Sequence, residues 1–187
     1  KEALIGVFVG GLRREKGLEV LIEALSQSKF RSKVKILVIG AIQDDAYFRL
    51  CEEKMMQFGL GETLVFLGRR TDVPRILKSV DFAVIPSISE SGPLVLIEYM
   101  AAGLPFVATK VGAISLRAEE LGLPGFVPPN NPSAFAEALD ELIGLSEAER
   151  ADRGNMGQEI AFEHFDIRKK MPQWYDVYTR VFRGNTS

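Results

Sequence analysis

The sequence predicts an α/β domain built on a doubly wound parallel sheet, and two observations carry that prediction. Short apolar, β-branched runs alternate with amphipathic stretches along the chain, the order expected of repeated strand–helix–strand units. The runs are also continuously apolar instead of alternating with polar residues, as expected of strands covered by helices on both faces. At 187 residues the chain suits one domain and is short for two.

The elements follow in order. Leu4 to Val9 reads as the first strand, followed by a helix from Leu18 to about Ser26 whose Leu18, Leu21, Ile22 and Leu25 share one face. Val34 to Ile39 is the second strand, and Asp45 to Phe58 is helical, with Asp44-Asp45 at its start as a cap. Leu64 to Leu67 is the third strand, and Asp72 is expected to cap a short helix with Pro74 in its first turn. Phe82 to Ile85 is the fourth strand, Pro93 to Ala102 a helix and Phe106 to Ala108 the fifth strand. A sixth, Gly125 to Val127, leads through Asn131 (cap) and Pro132 (first helical position) into a helix ending near Ile143. Ser146 and Glu149 form a capping box for the next helix, and a last one spans about Ile167 to Phe182. No internal repeat, low-complexity tract or linker divides the chain, so the expected fold is a single Rossmann-like unit.

Composition excludes several functions. Net charge is −2 with both signs interspersed, which argues against nucleic acid as a partner. The one cysteine, Cys51, has no partner for an internal disulfide, and with a single histidine no zinc-type ligand cluster is expected. No apolar run reaches the roughly 18–20 residues of a membrane span. A reducing, cytoplasmic setting fits. The chain starts without Met and almost directly in a strand-like run, as expected of a piece of something longer.

Ligands of open parallel sheets bind beyond the carboxyl ends of the strands, and two loops stand out there. Gly10-Gly11-Leu12-Arg13-Arg14-Glu15-Lys16-Gly17 joins paired glycines, which permit close backbone approach, to cations near a helix start. It fits neither a Walker loop nor a dinucleotide glycine pattern; taken alone, an ordinary glycine turn with solvated charges also accounts for it. The second loop, Pro86 to Pro93, holds Glu90 and precedes a helix carrying Glu98. Pro93 suits the first helical position, so the N–H groups of Leu94 and Val95 are expected to face an anion. Glu98 then lies roughly 7–8 Å along the axis from Pro93, about the span from a diphosphate to the ribose hydroxyls of one nucleotide. A carboxylate on a helix otherwise built of Leu94, Val95, Leu96, Ile97, Met100, Ala101 and Ala102 is costly without a partner or a cleft. Amide donors for an anion and carboxylates for hydroxyls together point to a nucleotide-sugar site.

At these residues the sequence resembles a known family. Pro86 to Gly112, with Glu90, Glu98, Met100-Ala101-Ala102-Gly103-Leu104-Pro105 and Val107-Ala108-Thr109, looks like the signature of GT-B retaining glycosyltransferases of family 4. The likeness extends to Gly10–Leu25, Leu67–Pro74, Asp81–Ser87 and Gly125–Leu142, nearly the whole chain. It implies that residues 1–187 form the carboxyl-terminal donor-binding domain, one half of a GT-B architecture, with the amino-terminal acceptor domain absent from this chain.

The resemblance further implies roles for single residues. Glu98 would accept hydrogen bonds from the donor ribose, and Glu90 would contact the transferred sugar near the reacting centre. The Leu94 and Val95 amides with Lys16 would hold the diphosphate, making Glu90 and Lys16 the candidate catalytic residues. Gly10, Gly11, Arg14, Ser91 and Gly92 complete the expected donor site, with Arg69 and Arg70 by the base. The donor would be a nucleotide diphosphate sugar, with no metal and no other cofactor. The acceptor, a sugar or lipid-linked molecule of polysaccharide biosynthesis, would bind through the missing domain, which could also place the enzyme peripherally on the inner membrane. In the family an arginine often follows the first glycine of the first loop; here that position is Gly11, and Arg13 or Arg14 is left to substitute. Gly92-Pro93 replaces the more frequent Phe-Gly. A non-catalytic nucleotide-sugar module and a nucleotide-sugar epimerase on the same fold stay open as alternatives.

The remaining residues read as structural. His164 is expected at the surface or in packing, Cys51 as a small helix residue, and Trp174, Tyr178 and Phe182 as a packing stripe on a helix that in the family crosses back to the missing domain. Asn185-Thr186-Ser187 fits a glycosylation acceptor, which has no meaning in a cytoplasmic chain.

Overall fold

A computed structural model describes residues 3–184, so the Asn185-Thr186-Ser187 triplet lies outside the described residues. Six strands form one sheet: β1 (Leu4–Val9), β2 (Val34–Ile39), β3 (Leu64–Gly68), β4 (Phe82–Ile85), β5 (Phe106–Thr109) and β6 (Phe126–Val127). Their order is β3-β2-β1-β4-β5-β6 and every pairing is parallel. Among the described residues eight α-helices connect and follow them: α1 (Leu18–Gln27), α2 (Asp45–Phe58), α3 (Val73–Leu77), α4 (Leu94–Ala101), α5 (Gly112–Glu120), α6 (Pro132–Gly144), α7 (Glu147–Ile160) and α8 (Ile167–Gly184).

The strands are mainly apolar because the sheet is packed against a core on each face. Phe8, Val38, Val84 and Val107 point to one side, where Leu21 and Leu25 of α1, Cys51 of α2 and Phe135 and Leu139 of α6 are buried. Their neighbours Val7, Ile39, Ala83, Ile85, Phe106 and Ala108 point to the other, against Leu77 of α3, Leu96 and Met100 of α4 and Ala118 of α5. With side chains alternating across the pleat, two covered faces leave few polar positions inside the strands, Lys35 on β2 and the buried Thr109 at the end of β5 among them. Fully burying each Leu, Val or Phe contributes about 1.5–3 kcal/mol.

Local signals place most helix ends. Asp44 caps α2 by accepting from Tyr47 N at 2.9 Å, Asn131 caps α6 by accepting from Ala134 N at 3.0 Å, and Ser146 and Glu149 form the capping box of α7. Three expectations are corrected. The Asp72 side chain does not cap α3, because both its oxygens are taken by Arg70. Pro93 is the N-cap of α4, not its first helical residue. Helix α5, absent from the sequence reading, occupies residues 112–120 between β5 and β6.

The single cysteine is buried in α2 beside Tyr47, and burial pushes its thiol up to about 11. A thiolate-directed reagent at pH 8 should therefore leave Cys51 unmodified in the native chain and label it rapidly in denaturant. Equal labelling rates would show that α2 is not docked. The Trp174, Tyr178 and Phe182 stripe, expected to pack, lies on the exposed face of α8; none of the described elements covers it. His164 sits in a π-helical turn (Ala161–Phe165) between α7 and α8, partly exposed, with Glu163 at 3.9 Å.

Candidate donor site

In this strand order the chain winds outward one way from β1 to β3 and the other way from β4 to β6, so the loops leaving β1 and β4 part at the middle of the sheet. A crevice opens at such a crossover, beyond the strands' carboxyl ends, where the following helices also present their amino termini. The cleft found there has a volume of about 360 Å³ and is lined by Val9, Gly10, Gly11, Lys16, Glu90, Gly92, Pro93, Leu94, Val95 and Glu98. A larger hollow of about 540 Å³, with Leu4, Phe30, Lys33, Ile143 and Arg150, lies at the opposite, amino-terminal end of the sheet. Size does not select between them; the helix amides and converging charges of the smaller one do.

The two loops are bound to each other. Glu15 O accepts from Ile88 N at 2.8 Å and from Ser89 N at 3.4 Å. Gly17, which ends a 3₁₀ turn over Arg14–Lys16, has φ +67°, and a Cβ there would stand 2.0 Å from Pro86 O. Behind the second loop, Thr109 Oγ1 donates to Ser87 O at 2.6 Å, and Ala113 N at the start of α5 donates to Ser91 O at 3.0 Å. The β1 end is tied to α4: Val9 N donates to the fully buried Tyr99 hydroxyl at 2.8 Å.

Within this frame Lys16 Nζ is paired with Glu90 Oε1, both side chains being largely buried. Ser87 Oγ donates to the same oxygen at 3.1 Å. Two donors on Oε1 leave Oε2 as the accepting end of Glu90. The first backbone bond at the start of α4 runs from Leu96 N to Pro93 O at 2.9 Å, so among the described residues the Leu94 and Val95 amides have no backbone acceptor, and both residues line the cleft at the positive end of the helix. Glu98, four residues into α4, lies on the exposed flank that borders the cleft.

The structure thus brings together Gly10, Gly11, Lys16, Glu90, Gly92, Leu94, Val95 and Glu98. It does not bring Arg14, Arg69, Arg70 or Ser91 into the lining. Arg14 turns toward α1 and α2, with Glu19 at 3.3 Å and its guanidinium 5.5 Å from the centre of the Tyr47 ring. Arg69 and Arg70 are exposed in the turn after β3, with Arg70 fixed on Asp72 at 2.8 Å. Ser91 serves the loop through its carbonyl. Sequence reading gave no role to Ser87, Thr109 or Tyr99. A Thr that follows a strand, or a Tyr within an otherwise apolar helix, signals a buried hydroxyl in need of a partner, but not which partner.

Fold and cleft define an α/β domain with a ligand crevice at the β1/β4 crossover. The family described as "Glycosyl transferases group 1" matches residues 3–144, and the chain belongs to it. Its sequence is 33% identical over 141 residues to the uncharacterized glycosyltransferase MJ1607 of Methanocaldococcus jannaschii, covering 73% of this chain and 35% of that protein. The structure is similar to that of Anabaena Alr3699/HepE in complex with UDP (TM-score 0.84, 25% identity, 95% of this chain and 49% of that one). It is also similar to the C-terminal domain of the Francisella tularensis group 1 protein LpcC (TM-score 0.77, 27% identity, 88% and 87%). These likenesses are to the carboxyl-terminal domain of GT-B glycosyltransferases. The chain spans between 34% and 46% of the length of the curated relatives it matches. Among the described residues no helix is long and apolar enough to cross a membrane.

Proposed function

We propose that this chain is the donor-binding half of a retaining glycosyltransferase that moves a sugar from a nucleotide diphosphate sugar to an acceptor hydroxyl. The observation that carries this reading is the convergence of Lys16, the free Leu94 and Val95 amides, Glu90 and Glu98 in one cleft at the crossover. The UDP complex of the similar HepE supports it. Residues 1–187 would supply the donor domain, and sequence outside this chain the acceptor domain, since the relatives are more than twice as long as the aligned part.

In this reading the acceptor oxygen bonds to the anomeric carbon as its bond to the diphosphate breaks, and the hydroxyl proton passes to a departing phosphate oxygen. Lys16 and the α4 amides stabilise the charge that builds on the leaving group, a task that requires no metal. Glu90 is given the role of holding the sugar and not that of nucleophile: with Oε1 paired to Lys16 and Ser87, Oε2 is left to accept from sugar hydroxyls. Glu98 receives the ribose.

Calorimetric titration with UDP, GDP and ADP tests the reading. At least one should bind, with affinity unchanged by EDTA; failure of all three at millimolar concentration would remove it. Lys16→Ala should weaken the diphosphate about tenfold, leaving the bare nucleoside unaffected, whereas equal loss for both would give Lys16 a role in the fold instead. The chain alone should show no transfer until the acceptor half is supplied, because no second wall excludes water from the sugar. Turnover by the isolated chain at an ordinary enzymatic rate, on the order of 1–1000 per second, would show that it needs no partner domain.

A further inference from the structure

Gly11 lines the cleft but brings no side chain to it. The space a Cβ on Gly11 would enter is held by Gln43, from the loop after β2. That Cβ would stand 2.3 Å from Gln43 Oε1, 2.5 Å from Cδ and 2.9 Å from Nε2. The Gln43 carboxamide therefore lies directly on the Gly11 backbone. Its orientation is set from two directions. Gln43 N donates to Leu12 O at 3.1 Å, and Oε1 accepts from Arg13 Nη1 at 3.1 Å. Gln43 is not itself among the residues that line the cleft and reaches it only through its contact with Gly11; with Oε1 engaged, Nε2 is the end left to donate to a ligand that approaches Gly11.

The base on which this amide stands is firm. Leu12 N donates to Ala41 O at 2.8 Å, and Leu12 and Ile42 form a parallel bridge that continues the β1–β2 pairing into the loops. Gly40 comes so near Gly10 that a Cβ on it would stand 1.8 Å from the Gly10 carbonyl oxygen. Among the described residues that line the cleft, Lys16 is the one cation, and it is shared with Glu90. Arg13 is engaged by Gln43 and by Glu15 at 3.5 Å.

We propose that Gln43 is a diphosphate-contacting residue of the donor site, its Nε2 donating to the phosphate oxygen nearest Gly11 while Arg13 holds the amide in place. This rests on the donor-site reading above. Recognition at this corner is then by a neutral donor, and the pair at positions 11 and 43 sets how strongly the site prefers a diphosphate to a bare nucleoside.

Two variants of the 187-residue chain test it, titrated with whichever of UDP, GDP and ADP binds tightest and with the matching nucleoside. Gln43→Glu places a carboxylate where the phosphate comes. It should weaken the nucleotide about tenfold and the nucleoside less than about twofold, with a larger effect at low salt. Gly11→Arg combined with Gln43→Ala opens the occupied space to a guanidinium and should bind the nucleotide more tightly than Gln43→Ala alone. Gln43 is exposed, so the unfolding curve of Gln43→Glu should match that of the unaltered chain. Unchanged nucleotide affinity in Gln43→Glu, equal loss for nucleotide and nucleoside, or a double variant no tighter than Gln43→Ala would each overturn the assignment while leaving the donor-site reading in place. Absence of binding by the unaltered chain would remove both.

Discussion

Gly17→Ala should lower the unfolding free energy by about 2–5 kcal/mol, much more than the same change at Gly59. Both glycines are left-handed, with φ +67° and +66°, so each alanine pays about 1–2 kcal/mol in backbone conformation. Only at Gly17 is there a second cost. Its Cβ would meet Pro86 O at 2.0 Å, whereas nothing lies within 4 Å at Gly59. Pro86 directly follows β4 and cannot yield alone, so relief has to come from separating the two loops. Affinity for the diphosphate should fall with stability, since Lys16 and Glu90 stand on either side of that contact. Urea unfolding of both variants checks this; equal losses at the two positions would mean that the loops do not close as tightly as described.

Glu98→Ala should weaken binding of the preferred nucleotide about 10- to 100-fold, corresponding to the roughly 1.5–3 kcal/mol of a charge-assisted hydrogen bond. The effect should appear with nucleoside and diphosphate alike, because the ribose is common to both, and this sets it apart from Lys16→Ala. The fold should tolerate the change: Glu98 is on the exposed flank of α4, whose buried face is held by Leu96, Met100 and the Tyr99 bond to Val9. Unaltered affinity in a folded variant would leave the ribose to another group and Glu98 as a solvated surface charge.

The strands were legible because their apolar runs report burial on two faces directly, and the capping residues Asp44, Asn131 and Ser146 marked helix starts by local chemistry. Helix α5 was not. Gly112-Ala113-Ile114-Ser115-Leu116-Arg117 begins with glycine, a poor helix former second only to proline, and the start is set by tertiary contact: Gly112 has φ +76° and its missing Cβ makes room for Ser91. Asp72 misled because a local competitor, Arg70, took the carboxylate that the helix amides would otherwise share. At the site, spacing along α4 put Glu98, Leu94 and Val95 together, and all three line one cleft. The partners of Glu90 were only half visible. Ser87 is three residues away, but Lys16 is 74 residues away, and no periodicity reports a contact at that separation. Side-chain direction was likewise hidden, so Arg14 and Arg70 read as ligands while the structure spends them on Glu19 and Asp72.

Trp174 is the chain's one tryptophan, 59% exposed on α8 with Tyr175 and Tyr178 and not among the residues that line the cleft. Its emission should therefore be that of a hydrated indole, accessible to iodide and acrylamide. A nucleotide filling the cleft has no route to that ring, so intrinsic fluorescence should stay silent through a titration that calorimetry registers. Any surface that covers α8 should do the reverse, shifting the emission to shorter wavelength and shielding the ring from the quenchers. The one indole thus serves as a built-in optical probe of the helix's company, spectrally independent of the state of the cleft.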